Sequence, residues 1–435
     1  MKGELFWLLV SIVMAALLTA GLVLGAVTLG AVLLVAVFSW VVLRWAASIS
    51  TDADRSWLST LMLVAYLTRL VATVGRYLMV TVLYGVGDSL SYHRAALDLV
   101  HVWRSFQVPQ PVGRSASTRF TEQVTSLLYV PGEPSLIVSF LAFSFIAFVG
   151  IVCFYLAFRR SASPRLLKPY AMAVFFLPSL LFWPSSVGKD SLMVLAIGVV
   201  SLGSAYLFER RWLPGLALLL PGMGLALGVR THVAALLAGG IAIALAGSRH
   251  EKSPIGPFVR FIVTIAAVGM LLYFGVTAAG KLGLDATSDG LDQFLAETER
   301  RTAQGGSAVV GTPVLSPLDL PEATLRVLFR PLPGESLSPA LLLSSVESGL
   351  LLLFFVVRLP TIIGNFRSVR RNSYYLYATV YSLAFVVVFS AIFNLGILAR
   401  QRVQVLPLFL VVIIGLGWRR ASDVQPELAS DRVEV

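Results

Sequence analysis

The sequence predicts an all-α, polytopic transmembrane helical bundle of about 12 helices, and three observations carry that prediction. Hydrophobic residues make up 57% of the 435-residue chain, charged residues only 13%, and mean hydropathy is +0.83. A soluble protein of this size could not bury so much apolar surface. The apolar residues come in runs close to the ~20 residues needed to cross a hydrocarbon core about 30 Å thick. Basic residues (Lys+Arg 34 against Asp+Glu 23, net charge +11) gather at the ends of those runs, where they set topology and meet anionic lipid. The single cysteine, Cys153, lies inside FVGIVCFYLAF, which excludes an internal disulfide framework and a cysteine-ligated metal site.

Taken in order, Leu5 to Trp45 is almost unbroken and too long for one crossing. A hairpin near Gly25 divides it into spans at about 5–24 and 26–46. A cleaved signal peptide fits less well, since a second span follows with no polar start. The third span, 57–83, carries Arg69 and Arg76 seven apart on one face. Arg69 falls near the midplane, so it should face the bundle interior and find a partner, and a structural pair is the use expected of both. Further spans fall at about 135–157, 170–184, 190–208, 212–228, 232–247, 261–280, 341–357, 374–394 and 400–418.

Twelve crossings put the basic clusters Arg159/Arg160/Arg165/Lys168, Arg210/Arg211, Arg249/Lys252/Arg260, Arg358/Arg367/Arg370/Arg371 and Arg419/Arg420 on the cytoplasmic side with both termini. Lys2, Arg44 and Arg55 then fall inside as well. The extracytoplasmic face receives two large loops, 84–134 and 281–340, and short turns near 184–190, 229–232 and 394–399. The tail, 421–435, reads as a disordered cytoplasmic segment.

Five polar clusters fall on that outer face. In GDSLSYHR, Asp88, Tyr92, His93 and Arg94 lie just beyond the third span. If a helix starts at Asp88, Asp88 and Tyr92 share a face at i,i+4. Asp88 is then either a general base for a sugar hydroxyl or an N-cap beside interfacial Tyr and His anchors. In FWPSSVGKD, Lys189 and Asp190 open a span after a proline and serine turn. That is a plausible phosphate seat without P-loop spacing, or else a tight turn with a local Lys–Asp pair. Arg230 and His232 sit in a two- or three-residue turn, bound to a phosphate-bearing lipid or snorkelling to headgroups.

Arg330 and Glu335 lie in FRPLPGE, with Glu347 one turn into the next span and Arg330 a candidate partner for it. Upstream, SDGLDQFLAETERRTAQGG has the signals of a helix, which would make the loop a structured lid along the interface. Arg400 and Arg402 stand at the mouth of the last span. Spaced two apart, they grip one anion only if the turn is irregular, which Gly396 permits.

Together, Arg94, Lys189, Arg230, Arg330, Arg400 and Arg402, with Asp88 and Glu335 among them, describe an anion cavity with an acid at its edge. A lipid-linked phosphate or pyrophosphate sugar suits it, with displacement at the anomeric carbon as the chemistry. PSLLFWPSSVGKDSLMVLAIG with Arg230-Thr-His232, FRPLPGE and NLGILARQRVQVLP resemble bacterial polytopic glycosyltransferases of the GT-C type and O-antigen or exopolysaccharide polymerases. The resemblance implies an enzyme of cell-envelope glycan assembly in the bacterial plasma membrane. Its donor would be a polyprenyl-(pyro)phosphate sugar, and its partners membrane lipids and other assembly proteins. Asp88 matches the transferases' catalytic Asp by character, but it follows the third span where theirs follows the first. The polymerase branch relies on outer-loop arginines, and no clear Arg-x10-Gly repeat is present.

The sequence demands no cofactor, and a divalent metal is left open, with Asp88, Asp285, Asp289 and Glu335 the acids that could hold one. The competing classes are a twelve-helix transporter or lipid flippase, disfavoured by unequal loops and the lack of a six-plus-six repeat, and a non-catalytic scaffold. No nucleic-acid partner is expected, because the charge is divided between the two membrane faces.

Overall fold

A computed structural model describes residues 29–52, 54–109, 115–247, 314, 316–335 and 339–417. The expected spans 5–24 and 261–280, Asp285, Asp289, the lid helix and the tail 421–435 lie outside these residues. The described residues are helical throughout apart from turns and short connections.

Among the described residues, ten helices carry the bundle: α1 Leu29–Ile49, α2 Leu58–Leu78 (continued by a π-helical turn, Met79–Tyr84), α5 Leu136–Ser161, α6 Pro164–Phe176, α8 Lys189–Phe208, α9 Trp212–Val229, α10 Thr231–Gly247, α12 Pro339–Asn365, α13 Ser373–Phe389 and α15 Leu406–Leu416. Four further helices sit beside its ends: α3 Asp88–Arg104 and α4 Ala116–Leu127 in the first long loop, α11 Leu320–Phe329 in the second, and α14 Leu395–Gln401 before α15. A single turn, α7 Pro178–Phe182, follows α6. Among the described residues, six helices are long and apolar enough to cross a membrane, or seven if α14 and α15, bent by 65°, count as one.

The apolar runs become helices close to where the sequence places them, because in lipid only a helix satisfies its own backbone. Two expected spans differ. The stretch 170–184 is not one helix. Pro178 has no N–H to donate and drives Leu177 extended (φ −60°, ψ 122°), ending α6 at Phe176. The stretch 400–418 is likewise broken, by a 3-10 turn at Arg402–Gln404 ahead of Pro407.

Among the described residues the core is one large apolar cluster running from α1 to α15, with two small clusters beside it at Ala96/Val100/Tyr129 and Ala238/Ala242. Its closest approach is α5 on α8, where Gly150 and Gly198 face each other and a Cβ on either would collide with the opposite backbone. Close backbone contact through small residues is a main source of helix association in lipid.

The helix junctions fall into two groups at opposite ends. At one end, Arg159 donates to Asp54 (2.9 Å) and to the Ile49 carbonyl (2.7 Å), and Tyr155 donates to the same carboxylate (2.6 Å). Arg160 meets Glu209 there, and Asn372 donates to the Ser161 carbonyl. The other end gathers Asp88, Lys189, Asp190, Arg230 and Arg400.

Candidate functional site

Two site helices begin the same way. Gly87 (φ 145°) precedes α3 and Gly188 (φ 155°) precedes α8, backbone conformations that side-chain-bearing residues rarely adopt. The chain therefore turns sharply into each helix, and the next residues, Asp88 on α3 and Lys189 with Asp190 on α8, are set at the mouth of the bundle.

Asp190 anchors the arrangement. Its side chain is only 5% exposed, and it receives Arg230 Nη2 on Oδ1 (2.9 Å) and Arg400 Nε on Oδ2. One buried carboxylate thus holds two guanidiniums in fixed orientation, with charge-assisted bonds in place of water. Arg400 then extends Nη1 to Asp88 (2.9 Å), whose side chain is 59% exposed. Arg230 keeps Nη1 buried and, among the described residues, without an acceptor. Lys189 Nζ rests on two hydroxyls, Ser117 (3.0 Å) and Thr118 (3.2 Å) of α4.

Asp88, Lys189, Arg230 and Arg400 line a cavity of about 1340 Å³ whose walls come from α2, α3, α4, α8, α9, α10 and α14. Arg76, Tyr92, Phe120, Gln123, Trp183 and His232 complete much of the wall. Tyr92 is buried; burial and the nearby Asp88 carboxylate push its phenol up to about 12, so it is a neutral hydrogen-bonding group at physiological pH. A second chamber of about 340 Å³ adjoins the first and shares Arg76, Asp88, Trp183, Gly396 and Arg400 with it. Met79, Val80, Tyr84, Val86 and Leu341 give the smaller chamber an apolar lining.

Of the residues singled out from sequence, Asp88, Tyr92, Lys189, Arg230, His232 and Arg400 line the large cavity, with Asp190 beneath them. The others do not join. His93 turns from the cavity to pair Nδ1 with the Tyr129 hydroxyl (2.6 Å), and Arg94 is exposed and outside the lining. Burial, then Arg94, holds the His93 imidazole below its usual range. Arg330 and Glu335 bind each other at 2.8 Å away from the cavity. Burial raises the Glu335 carboxyl, but Arg330 and the Leu332 N–H outweigh it and hold it below the ordinary value.

Arg402 is a correction to the expected cluster. It is fully buried in the core, where Nη2 faces Glu347 at 3.4 Å and Nη1 donates to Ser348 (2.6 Å) and the Leu328 carbonyl (3.1 Å). A two-residue offset points the two arginines to different sides of the chain. Glu347 therefore pairs with Arg402, not with Arg330 as the sequence suggested.

Arg76 is the residue that sequence reasoning misassigned. Arg69 does take a structural role, donating to the Ser144 and Leu180 carbonyls at 3.1 Å each. Arg76 instead reaches both chambers with its guanidinium over Phe182 (5.1 Å) and Trp183 (5.0 Å), and its Nε finds no acceptor among the described residues. The seven-residue spacing could have signalled this, since Arg76 lies two turns nearer the mouth than Arg69. Ser117 and Thr118 carried no signal at all.

Among the described residues no three His, Cys, Asp or Glu side chains converge as a metal site. Arg76, Arg119, Lys189, Arg230 and Arg400 line a cavity whose wall includes, among the described residues, one carboxylate, Asp88, a charge pattern that suits an anion. No protein-family model, no curated protein and no solved structure matches the chain.

Proposed function

We propose that this protein is an integral membrane glycosyltransferase or polysaccharide polymerase of cell-envelope glycan assembly. In this reading twelve spans place the cavity on the extracytoplasmic face of a bacterial plasma membrane, where it receives a sugar on a polyprenyl-(pyro)phosphate carrier. One observation carries the reading: a cation-rich cavity at one end of an apolar bundle holds on its wall, among the described residues, one carboxylate, Asp88, bridged to Arg400. Lipid-linked phosphates are the anions that a membrane delivers to such a place, and the adjoining chamber offers an apolar lining for the start of a lipid chain.

The chemistry is displacement at the anomeric carbon. The bond from that carbon to the carrier phosphate oxygen breaks and a bond to an acceptor hydroxyl oxygen forms. The acceptor proton passes to Asp88, and the leaving phosphate keeps the electron pair and its negative charge. Arg230 and Arg400, oriented in advance by Asp190, stabilise that charge without reorganising. Asp88 is the group with the exposure to meet an acceptor.

Complementation of a deletion strain by Asp88→Asn and Arg230→Ala variants of matched expression, with lipid-linked intermediates profiled, tests the proposal. Accumulation of an untransferred lipid-linked sugar is expected. Full complementation by both, or a mapping of residues 84–134 to the cytoplasm, would overturn it.

A further inference from the structure

Deepening that reading, and resting on its assignment of the cavity to an anion, the charge pattern distinguishes which anion fits. Five cations line the large cavity, Arg76, Arg119, Lys189, Arg230 and Arg400, and Arg76 and Arg400 line the small one as well. Asp190 is committed to Arg230 and Arg400 and is nearly sealed from solvent, so it is a permanent counter-charge. Asp88 is different, because it is held by one bond to Arg400 and is otherwise largely in solvent. An exposed pair of this kind is weak and exchanges readily.

With both acids in place the formal balance is five positive against two negative charges, an excess of three. Once Asp88 leaves, the excess is four. Two guanidinium edges already lack acceptors among the described residues, Arg230 Nη1 in a side chain 9% exposed and Arg76 Nε above its aromatic rings. The Lys189 ammonium has only neutral hydroxyl partners. A single phosphodiester, with one negative charge, would leave most of these donors unmet. A diphosphate diester brings two charges and more oxygens, enough to engage Arg76 with Arg400 on one phosphate and Arg230 with Lys189 on the other.

We propose that the cavity is a diphosphate seat on which the Asp88 carboxylate stands in for a substrate oxygen at Arg400, and that a lipid-linked diphosphate displaces it. Binding and base release are then one event. The carboxylate is masked by Arg400 while the site is empty of substrate, and it becomes free to accept a proton only when the diphosphate takes its place. The apolar lining of the small chamber assigns the lipid end of the substrate to that side, and the larger chamber to the glycan and acceptor.

The test is equilibrium binding to the full-length protein in nanodiscs, with inorganic pyrophosphate, orthophosphate and bilayer-incorporated geranylgeranyl diphosphate as probes. Pyrophosphate should bind at least about tenfold more tightly than orthophosphate, as expected when two more donors are satisfied. Asp88→Asn should tighten pyrophosphate binding by about fivefold, the factor set by losing a competing exposed ion pair. Arg76→Gln should weaken it. Equal affinities for the two inorganic probes would overturn the diphosphate assignment, and unchanged or weaker binding by Asp88→Asn would overturn the displacement. Geranylgeranyl diphosphate binding no better than pyrophosphate would remove the lipid as the source. Because Asp88 is exposed, a matching thermal midpoint in the variant checks that the fold is intact, and Asp88→Ala should shift binding the same way. The outcome is separable from the activity: tighter binding with full complementation keeps the seat and discards the transferase, while failed complementation without tighter binding does the reverse.

Discussion

Arg400 and Arg402 stand two residues apart, and each faces a carboxylate, yet their surroundings differ sharply. Arg400 is 28% exposed, shares Asp190 with Arg230 and reaches out to Asp88 at the cavity wall. Arg402 is sealed, with Glu347, Ser348, Ser179 and a backbone carbonyl taking up its two Nη groups, while its Nε is buried without an acceptor among the described residues. Different chain breakers build the two sites. Glycines at positive φ open α3 and α8 toward the cavity, whereas Pro178 breaks a helix inside the bundle and frees the Ser179 N–H, which Glu347 accepts. Buried irregular backbone needs such internal partners, so Glu347 and Arg402 close a gap that the proline made. The same residue pair, arginine with carboxylate, is in one case partly exposed at a cavity wall and in the other sealed inside the bundle.

The comparison is broken most severely at the sealed site. Arg402→Ala leaves Glu347 buried without its cation, and the expected loss of stability is about 3–5 kcal/mol. Arg400→Ala, by contrast, should cost about 2 kcal/mol, because Asp190 keeps Arg230 and Asp88 is already in solvent. Thermal unfolding of both variants in nanodiscs checks the ordering. A double Arg402→Met, Glu347→Leu variant should recover most of the stability, since it removes both buried charges together. If Arg400→Ala proves the more destabilising, the division into working and sealing arginines is wrong.

How much of this was legible beforehand follows the same division. The membrane-length helices and most of their ends were readable, because apolar run length and proline or glycine punctuation act locally. Asp88, Lys189, Asp190, Arg230 and Arg400 were readable as polar groups at the ends of apolar runs, and the structure gathers them at one end of the bundle. Glu347 was paired with the wrong arginine because the proper partner, Arg402, is 55 residues away, and nothing local announces that contact. Arg402 looked like a twin of Arg400 until the 3-10 turn at Arg402–Gln404 and the bend beside it set its direction. The break at Pro178 was half visible, since Pro184 drew attention as the helix end while the earlier proline did the breaking. Arg76 was given a structural role like that of Arg69, because its aromatic stacking and unmet Nε are facts of packing, although its spacing two turns nearer the mouth was a signal.

A milder disturbance sharpens the account of how the open site is made. Gly188→Ala puts a Cβ 3.6 Å from the Tyr92 ring and 3.9 Å from Arg400, ordinary contact distances, so crowding is not the difficulty. The backbone is the difficulty: φ of 155° is a glycine conformation, and holding alanine there costs about 1–3 kcal/mol. The first turn of α8 should relax and carry Lys189 and Asp190 with it. Gly87→Ala, with no neighbour within 4 Å, should suffer the same backbone penalty without moving Asp190. Pyrophosphate binding should therefore fall further in Gly188→Ala than in Gly87→Ala at similar thermal midpoints. Equal losses would mean that the turn into α8 does not position the seat.

The smallest effect expected lies in the support for the open site. His93 is half-buried on α3 with its Nδ1 on the Tyr129 hydroxyl, and burial together with Arg94 depresses its basicity. The unfolded chain therefore takes up a proton more readily than the folded one as pH falls through about 6.5. Since stability rises with pH wherever the unfolded state binds more protons, this contribution is complete above that value and is lost in mild acid. Wild-type protein should show a falling thermal midpoint from about pH 7.5 to pH 5.5, and His93→Gln, which cannot titrate, a shallower fall. Identical slopes would show that His93 is not held neutral by its surroundings. Because the imidazole faces Tyr129 and not the cavity, the same substitution should leave the pyrophosphate affinity at neutral pH nearly unchanged. A large change there would mean that α3 transmits the state of its loop face to Asp88, and the boundary drawn between supporting and ligand-bearing residues would have to move by one helix face.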